Sequence, residues 1–563
     1  IEGQRQTLGN ITYGIWNEDA YQLFMDMDTL KQLLEEIDEN SLRADKIARA
    51  LEQFTLAVDF EQPVEERIAS YKEGRAILRP VLEAKNGSTA PKFYAIGNAH
   101  LDLAWLWPIA ETYRKTSRTF AAQLRLLEEY PDYKFLQSTP ASYEMCRDHY
   151  PELYQRVLDA HKKGQWIAEG AMYVEPDTNM TSGESLVRQV LFGKKFFKDE
   201  FGIDSQILWL PDTFGYSAAL PQILRGCGVK YLVTQKIFWS YNEGDQFPYH
   251  YFAWEGSDGS KIDTFLPTSY TYRTDPSEIS QTWKKRVQKR GLDAFLLPFG
   301  YGDGGGGPCR DFIEYAQREA DLEGLPKVEM ASPLTFFQDM EAAGGPEHTY
   351  VGELYFSAHR GVYTSQGAVK RGNRRGEVAL REAEMWGTMA ALAGRAYPKD
   401  TMDHSWKTLL LNQFHDILPG SSIARVYTEA AMDHRQVEHD ANQVAEEAMK
   451  ALVTKDEGVT VFNSLSFERK GLVKLPANFA AGAKTLEGEA VPVCKQGNEV
   501  FALVTVPSCG SVSLLPQGQG TAFDAATAVK AEEGIVLENK YVRAVLNDRG
   551  EVISFVDKEA GRE

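Results

Sequence analysis

Between residues 92 and 299, short apolar runs alternate with longer amphipathic segments. The runs are KFYAIG (92–97), YKFLQS (133–138), QWIAEG (165–170), QILWLP (206–211), KYLVTQ (230–235), KIDTFLP (261–267) and DAFLLPF (293–299). Runs of this length, with turn residues or helical periodicity between them, predict seven strands. Strands alternating with helices predict an α/β layer or barrel whose strands are mainly parallel. TSGESLVRQVLFGKKFF (181–197) is one intervening helix, and Thr181 three residues before Glu184 predicts a capping box at its start.

The texture differs on either side. Residues 20–85 are charged and helix-periodic, with Leu30, Leu33, Leu34 and Ile37 on one apolar face. KNGSTAP (85–91) predicts a loop and a boundary. EVALREAEMWGTMAALAG, WKTLLLNQF and ARVYTEAAMDHRQVEHDANQVAEEAMKALV, within 376–455, predict a helical bundle. From residue 458, GVTVFNSLSFERKGLVKL, EVFALVTVP and YVRAVLNDRGEVISFVD alternate apolar and polar positions, which predicts antiparallel β-structure. The expected plan is a mainly helical region at 1–90, an α/β domain at 91–345, a helical bundle at 346–455 and a β-region at 456–563. The sequence opens at Ile1 and stops soon after the hairpin-like NDRGE, so the last region is expected to be the start of an incomplete domain.

At 563 residues the chain is too long for one core. A net charge of −19 with no basic stripe argues against nucleic acid as a partner. No apolar run reaches the ~18 residues of a membrane span, so no membrane partner is expected. The five cysteines, Cys146, Cys227, Cys309, Cys494 and Cys509, are scattered and include no Cys-x-x-Cys. That pattern fits a reducing cytoplasm better than a disulfide framework or a cysteine zinc site. Triplets at Asn10, Asn86 and Asn179 match the glycosylation pattern, which carries little weight in such a compartment.

The chemistry collects at strand ends. GNAHLDLAWLWP (97–108) places His100 and Asp102 two residues apart just past the first strand. On extended backbone, side chains at i and i+2 face the same way, so these two metal-capable groups converge on one point. A chance His-x-Asp pair is the plain alternative. LWLPDTFGY puts Asp212 directly after ILWL, where an Asx turn would equally use it. LLLNQFHDILPG puts His415 and Asp416 near the end of a helix closed by Pro419-Gly420, where a histidine also offsets the helix dipole. Together, His100, Asp102, Asp212 and His415 make a candidate metal set at the carboxyl ends of strands, where α/β barrels carry their sites.

FGYGDGGGGPCR (299–310) holds four consecutive glycines and Asp303. Gly300, Gly302 and Gly305 match the dinucleotide fingerprint, with Glu329 as the matching acid. The competing reading is an acid carried over the site on a mobile, glycine-hinged loop. A carboxylate nucleophile and a proton-donating carboxylic acid are what acetal cleavage needs, and Asp212 and Asp303 fit those roles. A metal binding ring hydroxyls would hold the substrate. Of Trp105, Trp107, Trp209 and Trp239, Trp105 is the best placed to stack on a sugar, provided the backbone turns at Ala104-Trp105.

With these residues in view, the chain resembles the glycoside hydrolase family 38 α-mannosidases, in their bacterial and cytosolic-vacuolar branch. The matching stretches are NAHLDLAWLWPIAETYRK, LPDTFGYSAALPQIL, GYGDGGGGP, ELYFSAHRGVYTSQGAVKRGNRRGE and LLLNQFHDILPGSS. The resemblance implies a seven-stranded parallel α/β barrel, then a three-helix bundle and the start of a β-sandwich. It implies a zinc-dependent retaining mechanism on terminal α-linked mannose of oligosaccharides. His100, Asp102, Asp212 and His415 would hold zinc, with Asp212 also the nucleophile. Asp416 would contact substrate hydroxyls, Trp105 would pack on the mannose, and Lys236 would be the basic group near the nucleophile. Asp303 stands for the general acid, although several branches carry two adjacent aspartates where this chain has Asp303-Gly304. A homo-oligomer is compatible with this reading. Two alternatives stay open: a zinc-dependent sugar deacetylase, in which metal-bound water attacks, and a non-catalytic sugar-binding protein.

Overall fold

The computed structural model describes residues 9–241, 243–453, 458–520 and 526–563. All seven expected strands form: β1 (Lys92–Asn98), β2 (Phe135–Gln137), β3 (Trp166–Ala168), β4 (Ile207–Leu210), β5 (Tyr231–Thr234), β7 (Lys261–Phe265) and β8 (Ala294–Phe299). Three more accompany them: β6 (Tyr251–Glu255), β9 (Lys327–Met330) and β10 (Thr349–Val351). One sheet runs β3-β2-β1-β8, with β9 also on β1, and every pairing in it is parallel. The other runs β10-β6-β7-β5-β4; β4, β5 and β7 are mutually parallel and β6 is antiparallel to β7.

The seven expected strands are therefore divided four and three between two sheets. Among the described residues no ladder joins the sheets into one closed ring. The edge of β7 that would continue toward β8 pairs with β6 over Tyr251–Glu255. β1, β4, β5 and β8 are almost wholly buried along their length. Burial on both faces is what makes parallel strands read as continuous apolar runs rather than alternation. Around the first sheet, Trp166 packs edge-on to Phe120 and Phe135 at ring distances of 5.0 and 4.9 Å, and its Nε1 donates to the Tyr143 hydroxyl at 2.7 Å. Around the second, Leu208, Leu210, Phe214, Leu232, Phe252 and Trp254 form a separate cluster.

The N-terminal region forms helices Glu18–Glu36, Leu42–Ala57 and Val64–Leu82, the first two capped by Asn17 and Ser41. Leu30 and Leu33 are fully buried, while Leu34 and Ile37 are half-buried at the edge of that apolar face. The helix after β3 spans Gly183–Phe201 and its cap is Ser182 rather than Thr181. The Ser182 hydroxyl accepts from the Ser185 N–H at 3.2 Å, so the capping register is one residue later than the Thr181–Glu184 pattern predicts.

The chain forms two compact units. The first runs to Leu380 and includes Asp400–Asp440; the second comprises Arg381–Lys399 and the chain from Ala441 onward. Three long helices, Gly367–Leu392, Lys399–Asn412 and Ala424–Leu452, occupy the expected helical stretch. Among the described residues of the second unit all strand pairings are antiparallel, with Leu475, Phe479, Val500, Ala502, Val504 and Leu514 in one core. No helix among the described residues is long and apolar enough to cross a membrane.

Candidate active site

The first unit carries the whole candidate site, built on the carboxyl ends of parallel strands. His100 and Asp102 follow β1, Asp212 follows β4, Lys236 follows β5 and Asp303 follows β8. His415 comes from a turn beyond the helix Lys399–Asn412, three residues past the helix's last residue. Residues 413–415 instead run antiparallel to 175–177. Asp177 N donates to the Gln413 carbonyl at 2.9 Å, and His415 N to the Glu175 carbonyl at 3.2 Å.

These elements bring four ligand groups together. One ligand atom each from His100, Asp102, Asp212 and His415 lies within 4.8 Å of the others. All four residues are at most 6 % exposed. His100 Nε2 lies 3.0 Å from Asp102 Oδ1 and 3.4 Å from Asp212 Oδ2. His415 Nε2 lies 3.4 Å from Asp102 Oδ1 and 3.8 Å from Asp212 Oδ2. That nitrogen is buried and has no hydrogen-bond partner. A buried ring nitrogen without a partner, aimed at two carboxylates, is a costly arrangement for a purely structural group. Two imidazoles and two carboxylates are a suitable donor set for a borderline divalent cation such as zinc.

Electrostatics follow from this crowding. Burial would lower His100, but Glu175 and Asp102 outweigh it and raise the imidazole well above its ordinary value. Burial also works against His415, yet Asp102, Asp416 and Asp212 raise it to about 9. For Asp212, burial pushes upward, but His100, Lys236 and His415 prevail and hold the carboxyl below its usual range. Lys236 forms an ion pair with Asp212, and its ammonium lies 3.2 Å above the Trp239 ring. Asp416 is pushed up to about 7, chiefly by burial, while its Oδ1 accepts from the Ser421 hydroxyl at 2.5 Å.

One pocket of about 150 Å³ opens over these groups and includes Asp102, Trp105, Asp212, Lys236, Asp303 and Asp416 in its wall. Trp105 reaches it because the backbone bends over 103–107, as the sequence required of Ala104-Trp105. Trp107 turns elsewhere, its Nε1 donating to the Asp102 carbonyl at 3.1 Å, and Trp209 is buried in the core. Trp239, one of the tryptophans weighed for sugar stacking, also lines the pocket; Phe214, Tyr270, His359 and Ser421 complete the wall, and none of these four stands out in the sequence as a site residue. Tyr270 donates to Asp303 Oδ1 at 2.8 Å.

The glycine loop is not a free hinge. Asp102 N donates to the Asp303 carbonyl at 2.9 Å, and Gly305 N to the His100 carbonyl at 3.1 Å. Gly305 has φ +72°, and a Cβ there would lie 2.8 Å from Thr119 Oγ1. The glycines thus let the loop lie against the ligand strand and the helix beside it. The approach that a dinucleotide would need is taken by the protein's own chain. Asp303 itself has φ +56°, a left-handed conformation that aspartate tolerates better than most residues. Glu329, the acid of the dinucleotide reading, sits on β9 paired with Lys92 at 2.7 Å.

Comparison with known proteins fits this architecture to a class and then to a family. Residues 90–353 match the glycosyl hydrolases family 38 N-terminal domain, and residues 357–452 match the alpha mannosidase middle domain. The chain belongs to glycoside hydrolase family 38. It is 33% identical to alpha-mannosidase 2C1 of Homo sapiens over 99% of its own length and 52% of that protein's. It is also 33% identical to alpha-mannosidase G of Dictyostelium discoideum, over 85% of this chain and 47% of that one. The chain thus spans about half the length of the curated relatives it matches. Among solved structures, an alpha-mannosidase from Enterococcus faecalis V583 shares the fold with a TM-score of 0.70 and 19% identity, over 84% of this chain and 61% of that one.

Proposed function

We propose that the chain is the catalytic part of a zinc-dependent retaining α-mannosidase that removes terminal α-linked mannose from oligosaccharides. The observation that carries this reading is the buried quartet of His100, Asp102, Asp212 and His415, whose two carboxylates line a pocket that also holds Asp303. Its relatives, alpha-mannosidases aligned over 85% to 99% of this chain, supply the substrate class. The division into a helical region at 1–90, an α/β barrel domain of seven parallel strands at 91–345, a helical bundle at 346–455 and a β-sandwich region at 456–563 belongs to the same reading.

Zinc held by the four ligands would supply Lewis acidity toward substrate hydroxyls and positive charge beside Asp212. The rest is the work of this chain's own side chains. Asp212, held ionised by His100 and Lys236, attacks the anomeric carbon. The bond from that carbon to the glycosidic oxygen breaks, and Asp303 gives its proton to the departing oxygen. Water then attacks the glycosyl–Asp212 ester, Asp303 takes the water's proton, and Asp212 leaves as the carboxylate. Tyr270 fixes the Asp303 carboxyl through its 2.8 Å hydrogen bond. Trp105 supplies an apolar face for the sugar, and Asp416 accepts from its hydroxyls. Five cysteines without a disulfide among them support a reducing, cytoplasmic setting.

The deacetylase reading uses the same quartet, with Asp303 protonating the departing amine, so the released product separates the two readings. Hydrolysis of an aryl α-mannoside before EDTA, after EDTA and after zinc is restored tests the proposal. Activity should disappear on chelation and return with zinc. A folded, zinc-loaded protein that leaves the aryl mannoside intact would contradict it, and acetate release from an N-acetylated sugar would favour the deacetylase.

A further inference from the structure

Glu175 lies beyond β3, and none of the sequence motifs gives it a task. It is 5% exposed. Its Oε1 accepts from the Ser138 hydroxyl at 2.9 Å. Its Oε2 lies 3.0 Å from His100 Nδ1 as a charge-pair contact, and both atoms are buried without a hydrogen-bond partner. Its main-chain carbonyl accepts from His415 Nδ1 at 2.8 Å. One residue therefore meets the rear nitrogen of both imidazoles, while the opposite nitrogens face Asp102 and Asp212.

The two nitrogens of a neutral imidazole have opposite roles, and an acceptor at one places the proton there and the lone pair on the other. An acceptor behind a metal-binding histidine also fixes the ring plane and raises its basicity. A carboxylate this deeply buried is expensive unless it is paired and hydrogen-bonded. Ser138 engages one oxygen; only His100 stands opposite the other. We propose that Glu175 is a positioning residue that presents both histidines through Nε2, His100 through its carboxylate and His415 through its carbonyl. The inference rests on the metal reading of the quartet. It predicts a division of labour: a side-chain substitution at 175 releases His100 and leaves the anchor of His415 in place.

The test uses the full chain, stripped of metal, in wild-type, E175L and E175Q forms. Zinc affinity is measured by competition with a chromophoric chelator, the cobalt(II) absorption spectrum is recorded, and the melting of each apoprotein is followed. E175L should bind zinc about 10- to 100-fold more weakly and give altered cobalt bands. E175Q keeps an acceptor oxygen and should recover much of the affinity, with apoprotein melting close to wild type. Wild-type affinity and an unchanged cobalt spectrum in E175L would overturn the assignment of Glu175 alone. So would affinity losses in E175L and E175Q that simply follow a lowered melting temperature. If E175L does not fold, E175A takes its place: weaker zinc binding with shifted cobalt bands supports the role, and wild-type affinity with unshifted bands overturns it. A folded wild-type protein that binds neither ion would overturn the metal reading, and the Glu175 inference with it.

Discussion

Replacing Asp212 by Asn should lower turnover of an aryl α-mannoside by about four to six orders of magnitude, the range seen when single members of a catalytic unit are removed. The size follows from two tasks on one side chain. Asp212 Oδ2 faces His100 at 3.4 Å and His415 at 3.8 Å, as a ligand of the quartet would. Its Oδ1 meets Lys236, as a carboxylate held ready and ionised would. A carboxamide keeps the shape but is a poor nucleophile and a weaker ligand. Measuring zinc content beside kcat separates the tasks. A zinc-saturated D212N protein should remain inactive. If excess zinc restored its turnover, Asp212 would be a ligand and some other group the nucleophile.

The second large effect belongs to Asp303. D303N should lower turnover by about 10²- to 10⁴-fold on a substrate with a poor leaving group, the usual worth of a general acid. The loss should shrink on a dinitrophenyl mannoside, whose leaving group departs without a proton. Asn keeps an acceptor for Tyr270, so the loop geometry that links Asp303 to Asp102 should survive. Equal losses on both substrates would assign Asp303 to binding or structure instead of proton transfer.

The parts of the site legible in the sequence are those governed by short-range rules. His100 and Asp102 converge because period-two geometry continues past β1, and Asp212 is legible because it follows an apolar run directly. His415 is legible as a residue but not in its placement. Its position depends on pairing of 413–415 with 175–177, some 240 residues apart, which no local pattern announces. Glu175 and Tyr270 are illegible for the same reason. Each acts through a partner distant in sequence, Glu175 on His100 and His415, Tyr270 on Asp303.

In the fold, β1, β4, β5 and β8 read clearly because burial on both faces makes them uniformly apolar. β9 and β10 carry too few buried positions to stand out from their surroundings. β6 has the apolar content of a strand, but its antiparallel pairing with β7 depends on sheet order, which hydrophobic periodicity does not encode. The four-glycine run shows the need for close approach but not what approaches. Thr119 and Leu101 of the same chain occupy the space that a ligand reading would give to a dinucleotide.

The most direct test of the central claim is the configuration of the first-formed sugar. The zinc-loaded chain is mixed with an aryl α-mannoside and the anomeric proton signals are followed by NMR before mutarotation scrambles them. Double displacement through Asp212 with Asp303 as acid and base predicts α-mannose first, with β-mannose growing in only as the two anomers equilibrate. β-Mannose as the first product would mean that water, not Asp212, attacks the anomeric carbon.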